Sequence, residues 1–220
     1  GLDSAGVYAE LTGAGTVQVD TTAGAITTLG NESDGVYVIG GDVAVTVATG
    51  DITTSGEDAW GISIDTTSGT IAVDTRGGAI ATSGDGGFGV LSITESATGS
   101  YDFGDITTTG VEGDGVFLGS TTGDITARVH GNVNVSGDES LGVVLYSVPG
   151  VGTGSGALDL TVTGSVLATG RHDPAVGVLS EFNSATVTIG AGALVRGGWE
   201  AQPGDTGAIT TTGGVGVQLS

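Results

Sequence analysis

Carboxylates recur in this chain at a spacing that could serve a cation. Glu32 and Asp34, Glu57 and Asp58, Asp85, Glu112 and Asp114, Asp138 and Glu139, and Asp173 each follow a short β-branched stretch and a glycine. If these segments stack at the ~4.8 Å spacing of neighbouring strands, adjacent charges repel by ~0.9 kcal/mol even at the dielectric of water. A bound Ca²⁺, which takes roughly six to eight oxygen ligands in flexible geometry, would relieve that repulsion. Glu57, Asp58, Asp85, Asp114 and Asp138 are the candidate ligands. The competing reading is a solvated acidic edge that deters aggregation, and the calcium nonapeptide GGxGxDxUx is not repeated here. GDGGFGV at residues 84–90 is a single loose likeness.

A second group of residues could recognise a partner. Tyr8, Tyr37, Ser63, Leu91, Phe117, Val144, Leu179 and Gln218 each stand two places after a recurring glycine, next to a Val or Ile. Strand side chains alternate faces, so if the Val/Ile column points inward this one points out. Tyr8, Tyr37 and Phe117 then form a partner face, or else stacked pairs that stabilise the sheet. Trp199 lies in a Gly/Pro-rich excursion beside Glu200 and Gln202, where it could meet a sugar or a protein, or pin its own loop. Trp60 occupies a place shared by Phe88, Leu141 and Val176 and reads as packed.

Catalysis finds less support. A β-helix that cleaves acidic polysaccharides needs Asp clustered with Arg, Lys or His on one outer face. The chain has no lysine, Arg76, Arg128, Arg171 and Arg196 are dispersed, and His130 and His172 stand apart. Arg171-His172-Asp173-Pro174 is chemically varied but reads as a turn started by Asp-Pro. No catalytic residue is assigned, and a polysaccharide-acting enzyme remains the rival class.

The elements that position these residues are repeats. GDITTSGEDAWGI at residues 50–62 returns nearly intact as GDITTTGVEGDGV at residues 104–116. The shared frame is an aliphatic residue, Gly four places later and Gly five after that: Ile26/Gly30/Gly35, Ile52/Gly56/Gly61, Ile80/Gly84/Gly89, Ile106/Gly110/Gly115 and Val133/Gly137/Gly142. Each unit reads as three short strands: one after the second glycine, a Thr/Val alternation, and the ITT element. The glycines preceding the first strands (Gly6, Gly35, Gly61, Gly89, Gly115, Gly142, Gly177, Gly216) differ in residue number by 29, 26, 28, 26, 27, 35 and 39. Fixed spacing at one corner with variable spacing elsewhere, in units of this length, predicts an all-β, right-handed parallel β-helix (β-solenoid) of three strands per coil and about seven to eight coils. Residues 1–220 read as one solenoid domain, a segment of a longer solenoid or a stacking fibre subunit, with excursions at 147–156 and 197–207.

Composition narrows the partners. A net charge of −21 repels phosphate backbones and anionic membrane surfaces, which argues against nucleic acid. No stretch reaches the ~18 consecutive apolar residues of a membrane helix, and GLDSAGVYAEL lacks the basic start and apolar run of a signal peptide. Forty-five glycines would suggest disorder were they not periodic and set between Val/Ile/Thr runs. The absence of cysteine rules out disulfides and thiolate metal sites.

Degenerate GDITTxG and DGV units, no cysteine and strong acidity together resemble the passenger region of bacterial autotransporter adhesins, and the resemblance covers essentially the whole chain. It implies an extracellular location on the bacterial cell surface and a structural or adhesive role. It also implies partners among host or neighbouring cell-surface proteins and glycans, while the open sheet edges at the ends of a solenoid add the expectation of further copies stacked end to end. No organic cofactor is implied. The other alternative is a calcium-dependent surface-layer or filament component.

Overall fold

The computed structural model describes residues 4–147, 156–170, 174–180, 184–198 and 217–219. Every strand pairing in it is parallel, and each strand pairs with its own copy one coil away. The chain is therefore a parallel β-solenoid, and no helix occurs among the described residues. First strands run from Val7–Leu11 through Val90–Thr94, Val116–Ser120, Val143–Ser147 and Val176–Ser180 to Val217–Leu219. Third strands form a separate seven-stranded sheet from Ile26–Thr28 to Leu194–Arg196.

Two details differ from the expectation of three strands per coil and seven to eight coils. In two coils the first and second strands are continuous, Val36–Ala48 and Ile62–Asp74, and bend where the register skips from Gly40↔Thr66 to Asp42↔Ser68. Gly69 takes φ of 106° at that bend, a conformation open to a residue without Cβ. The solenoid has about six turns, because seven stacked third strands are separated by six steps. Leu194–Arg196 supplies the seventh, pairing Val195 with Val166. Residues 209–213, whose sequence fits the same third-strand pattern as 194–198, lie outside the described residues.

The inner columns are those of the sequence pattern. Val36, Ile62, Val90, Val116 and Val143 are fully buried, as are Ile52, Ile106 and Val133 of the third strands. Each such side chain stabilises the fold by about 1.5–3 kcal/mol relative to exposure. In the seventh unit the column member is Val176, not Val178: Val143 pairs with Val176, and Ala175 takes the place of the frame glycine. The AVGV run offers two frames offset by two residues, and such a shift keeps every side chain on the same face. The outward residue there is accordingly Gly177, with Leu179 one column further on, opposite Tyr146.

One core substitution shows how volume is conserved. Tyr101 is buried and stacks on Phe103 at 6.1 Å between centroids. The first strand of its coil places Ser92 where the neighbouring coils have Ile64 and Leu118. The two hydroxyls meet at 2.9 Å, and burial pushes the Tyr101 phenol up to about 12.

Candidate functional site

The corner between third and first strands is built from six residues bounded by two glycines. At the first place a Cβ on Gly84, Gly110 or Gly137 would strike the backbone carbonyl of the coil below. At the last place a Cβ on Gly61 or Gly89 would meet the carbonyl of the coil above at 2.5 Å. The third place is left-handed in five successive coils: Glu32 (φ 52°), Asp58 (52°), Gly86 (68°), Glu112 (55°) and Glu139 (58°). A left-handed residue other than glycine costs roughly 1–2 kcal/mol, which the surrounding stack must offset. Part of the offset comes from the buried second threonine of the ITT element. Its Oγ1 donates to the carbonyl at the fourth place of the corner: Thr28 to Ser33, Thr54 to Ala59, Thr82 to Gly87 and Thr108 to Gly113, at 2.6–2.9 Å.

The acids do not form one stripe. Glu57, Asp85 and Asp138 occupy the second place, in a column shared with Asn31 and Val111. Asp58 is in the left-handed column, and Asp114 is at the fifth place, a position also held by Asp34, Trp60, Phe88 and Leu141. Several carboxylates already have a structural task. They accept an amide N–H from the next coil where no backbone carbonyl faces it: Asp34 from Trp60 (2.9 Å), Asp85 from Val111 (2.9 Å) and Asp114 from Leu141 (2.6 Å). The Asp of the GDI motif does the same at other corners: Asp51 for Ala79 and Asp105 for Asn132 leading into third strands, and Asp124 for Ala157 leading into a second strand, at 2.7–2.9 Å. Among the described residues no three acidic or imidazole side chains converge so as to hold a metal ion.

Basic groups that are scattered along the chain converge. Asp74, Asp102 and Arg128 pair in register on consecutive coils. Arg76 binds Asp74 through two nitrogens, at 2.9 and 2.7 Å, and His130 Nε2 lies 2.9 Å from Asp102 Oδ1, with Arg128 at 3.9 Å. Two arginines, one histidine and two aspartates thus share one outer patch, contrary to the dispersal expected from their positions in the chain. The Arg76 guanidinium hydrogen-bonded to Asp74 holds that carboxyl below its ordinary value.

On the outer face of the first strands, Tyr8 is 54% exposed and packs edge-on against Tyr37 at 5.7 Å. Trp60, Phe88, Phe117 and Tyr146 follow one another across the coils at centroid distances of 6.2, 6.2 and 6.3 Å. Trp60 is half-buried, and its indole N–H donates to the Gly86 carbonyl at 3.0 Å. Ile93 stands 52% exposed beside the run, next to a hollow of about 300 Å³ where Gly119 faces Ile93 and Tyr146 in register. Trp199 lies outside the described residues.

The aromatic face and the acidic corner meet in a hollow of about 800 Å³, lined chiefly by Tyr8, Tyr37, Trp60, Glu32, Asp34 and Asp58. Asp34 is 7% exposed, and burial pushes its carboxyl up to about 6 while the Trp60 N–H pulls it partly back. Burial, then the charges of Asp65, Asp34 and Glu10, raise the Tyr37 phenol, and the Tyr8 hydroxyl donates to Glu10 Oε2 at 2.6 Å. Nothing in the repeat pattern announces this hollow. The available signal was Ala5 and Asp34 at a corner place that the next two coils fill with Trp60 and Phe88.

Stacked repeats, parallel ladders and corners capped by carboxylates define the class as a repetitive parallel β-solenoid. No family model, no curated protein and no solved structure matches the chain.

Proposed function

We propose that the chain is a stiff surface rod, a segment of a secreted bacterial adhesin of the autotransporter type, which works by presenting an outer face at fixed spacing and not by catalysis. The observation that carries this reading is the aromatic run Trp60–Phe88–Phe117–Tyr146, which crosses four coils on an outer face whose Ile93 is also uncovered. Aromatic side chains at one patch of an otherwise acidic exterior are what a protein or glycan partner, or another copy of the rod, would engage. The test is adherence of beads coated with the chain to bacterial and host cells, alongside sedimentation of the free chain. Phe117→Ala combined with Ile93→Ser should reduce both adherence and self-association. Unchanged adherence in the double variant, with a monodisperse wild type, would remove the reading.

The Asp74, Arg76, Asp102, Arg128 and His130 patch favours a second reading, a polysaccharide-acting β-helix enzyme. A general acid must keep its proton near the working pH, and Asp74 is held the other way by Arg76. Incubation with a panel of acidic glycans decides, since product formation that Asp102→Asn abolishes would restore catalysis.

A further inference from the structure

The hollow between corner and outer face combines three features that together specify a ligand class. The first is a buried charge with spare capacity. Asp34 is 7% exposed, one carboxylate oxygen accepts the Trp60 amide at 2.9 Å, and among the described residues the other receives no hydrogen bond. A buried carboxylate is costly unless it is paired.

The second is the sign of the surroundings. No basic side chain lines the hollow among the described residues; Glu32 and Asp58 share it, and Glu10 and Asp65 act on its tyrosines. The described ion pairs of Arg76, Arg128 and His130 are all made with Asp74 and Asp102, which do not line the hollow. An anion is therefore repelled, and a neutral guest leaves Asp34 uncompensated.

The third is the wall. Tyr8, Tyr37 and Trp60 present aromatic rings, which attract a cation through their quadrupole and favour one that carries apolar surface. A bare divalent ion would need several oxygens converging on one point, and no such group of three occurs among the described residues. The space itself exists because Ala5 and Asp34 stand at the fifth corner place, where the next coils have Trp60 and Phe88.

We propose that this hollow binds an organic ammonium group, with Asp34 as its counter-charge and Tyr8, Tyr37 and Trp60 around its apolar part. The group could come from a small alkylammonium or from a lysine side chain of another protein, and both present the same chemistry. The site does not depend on the adhesive reading, since a rod with no adhesive role could still hold the cation.

The test follows Trp60 fluorescence in the chain carrying Trp199→Phe, so that only one indole reports. Choline and N-acetyl-lysine-methylamide are titrated in parallel, with 3,3-dimethyl-1-butanol as the neutral counterpart of choline. A saturable response to at least one cation is expected, at least ten-fold weaker for the alcohol and at least ten-fold weaker in Asp34→Asn. That variant keeps an acceptor for the Trp60 amide, and circular dichroism confirms its fold. Should it fail to fold, Ala5→Leu tests the site by filling the hollow with all charges intact, and it too should abolish the response. A response to choline alone assigns a small ammonium, and a response to the lysine amide alone assigns a protein side chain. The proposal is overturned if neither cation gives a saturable response, if the alcohol matches choline, or if a folded Asp34→Asn or Ala5→Leu binds like the parent.

Discussion

Thr108 donates its hydroxyl hydrogen to the carbonyl of Gly113 at 2.7 Å, tying a third strand to the corner it leads into. The bond is fully buried, so Thr108→Val keeps the shape and leaves the carbonyl without its donor. A loss of about 1–3 kcal/mol is expected in urea unfolding. Thr107→Val, one residue away on the exposed face, should stay within about 0.5 kcal/mol of the parent. Equal effects at the two positions would show that the hydroxyl bond is not what closes the corner.

The two kinds of glycine predict opposite outcomes for one substitution. A Cβ at Gly84 collides with the backbone of Gly56, which the stack cannot move without opening the ladder. Gly84→Ala should therefore cost about 1–3 kcal/mol or more. At Gly119 the nearest atoms lie 3.8 and 3.9 Å from an added Cβ, both in side chains. Gly119→Ala is expected to be neutral or slightly stabilising in thermal melts, since alanine also has less unfolded-state freedom to lose.

Asp34 gives the fold an acid-favoured component. Its carboxyl is pushed from 3.8 up to about 6 by burial, so between those values the folded chain binds more protons than the unfolded one. Stability from this group is therefore complete below about pH 4 and falls as pH rises through about 6, by on the order of 2–3 kcal/mol. Asp34→Asn should raise the melting temperature at pH 7.5 and change it little at pH 4. A melting temperature of the variant below the parent's at pH 7.5 would contradict the sign.

Ionic strength should matter more than the identity of the cation. A net charge of −21 makes the folded rod repel itself, and salt screens that repulsion. Sodium chloride up to about 0.3 M should raise the melting temperature. Calcium at matched ionic strength should add no more than magnesium, because the five candidate acids are split among three columns and Asp85 and Asp114 already accept amide hydrogens. A calcium-specific increase, reversed by EDTA, would reinstate the corner as a metal site.

The repeat frame was legible because its glycines answer to a hard steric limit, and because Val36, Ile62, Val90 and their relatives alternate with outward residues in the period of a strand. The register of the seventh unit was not, since Val176 and Val178 satisfy the same alternation. Of the site residues, Tyr8, Tyr37 and Phe117 were readable as outward. The carboxylates were visible as an edge but not as amide caps: which N–H lacks a backbone partner depends on how one coil sits on the next. For the same reason Arg76, Arg128 and His130 looked dispersed. Residue spacing along the chain says little about which outer column each coil contributes to.

The ladders that hold one coil to the next run along the length of the rod, and this gives the molecule a particular response to being pulled. Tension along the axis loads the coil-to-coil hydrogen bonds in series, so the weakest interface opens first. One coil of 26–28 residues, the register spacing between Val36, Ile62, Val90 and Val116, can then unspool. At roughly 3.4 Å per extended residue it releases about 90 Å of slack, while the rod shortens by only the ~4.8 Å that coil occupied. A chain of this kind tethering one surface to another would absorb a jolt as a sequence of discrete extensions, each about twenty times the pitch of the coil that yields.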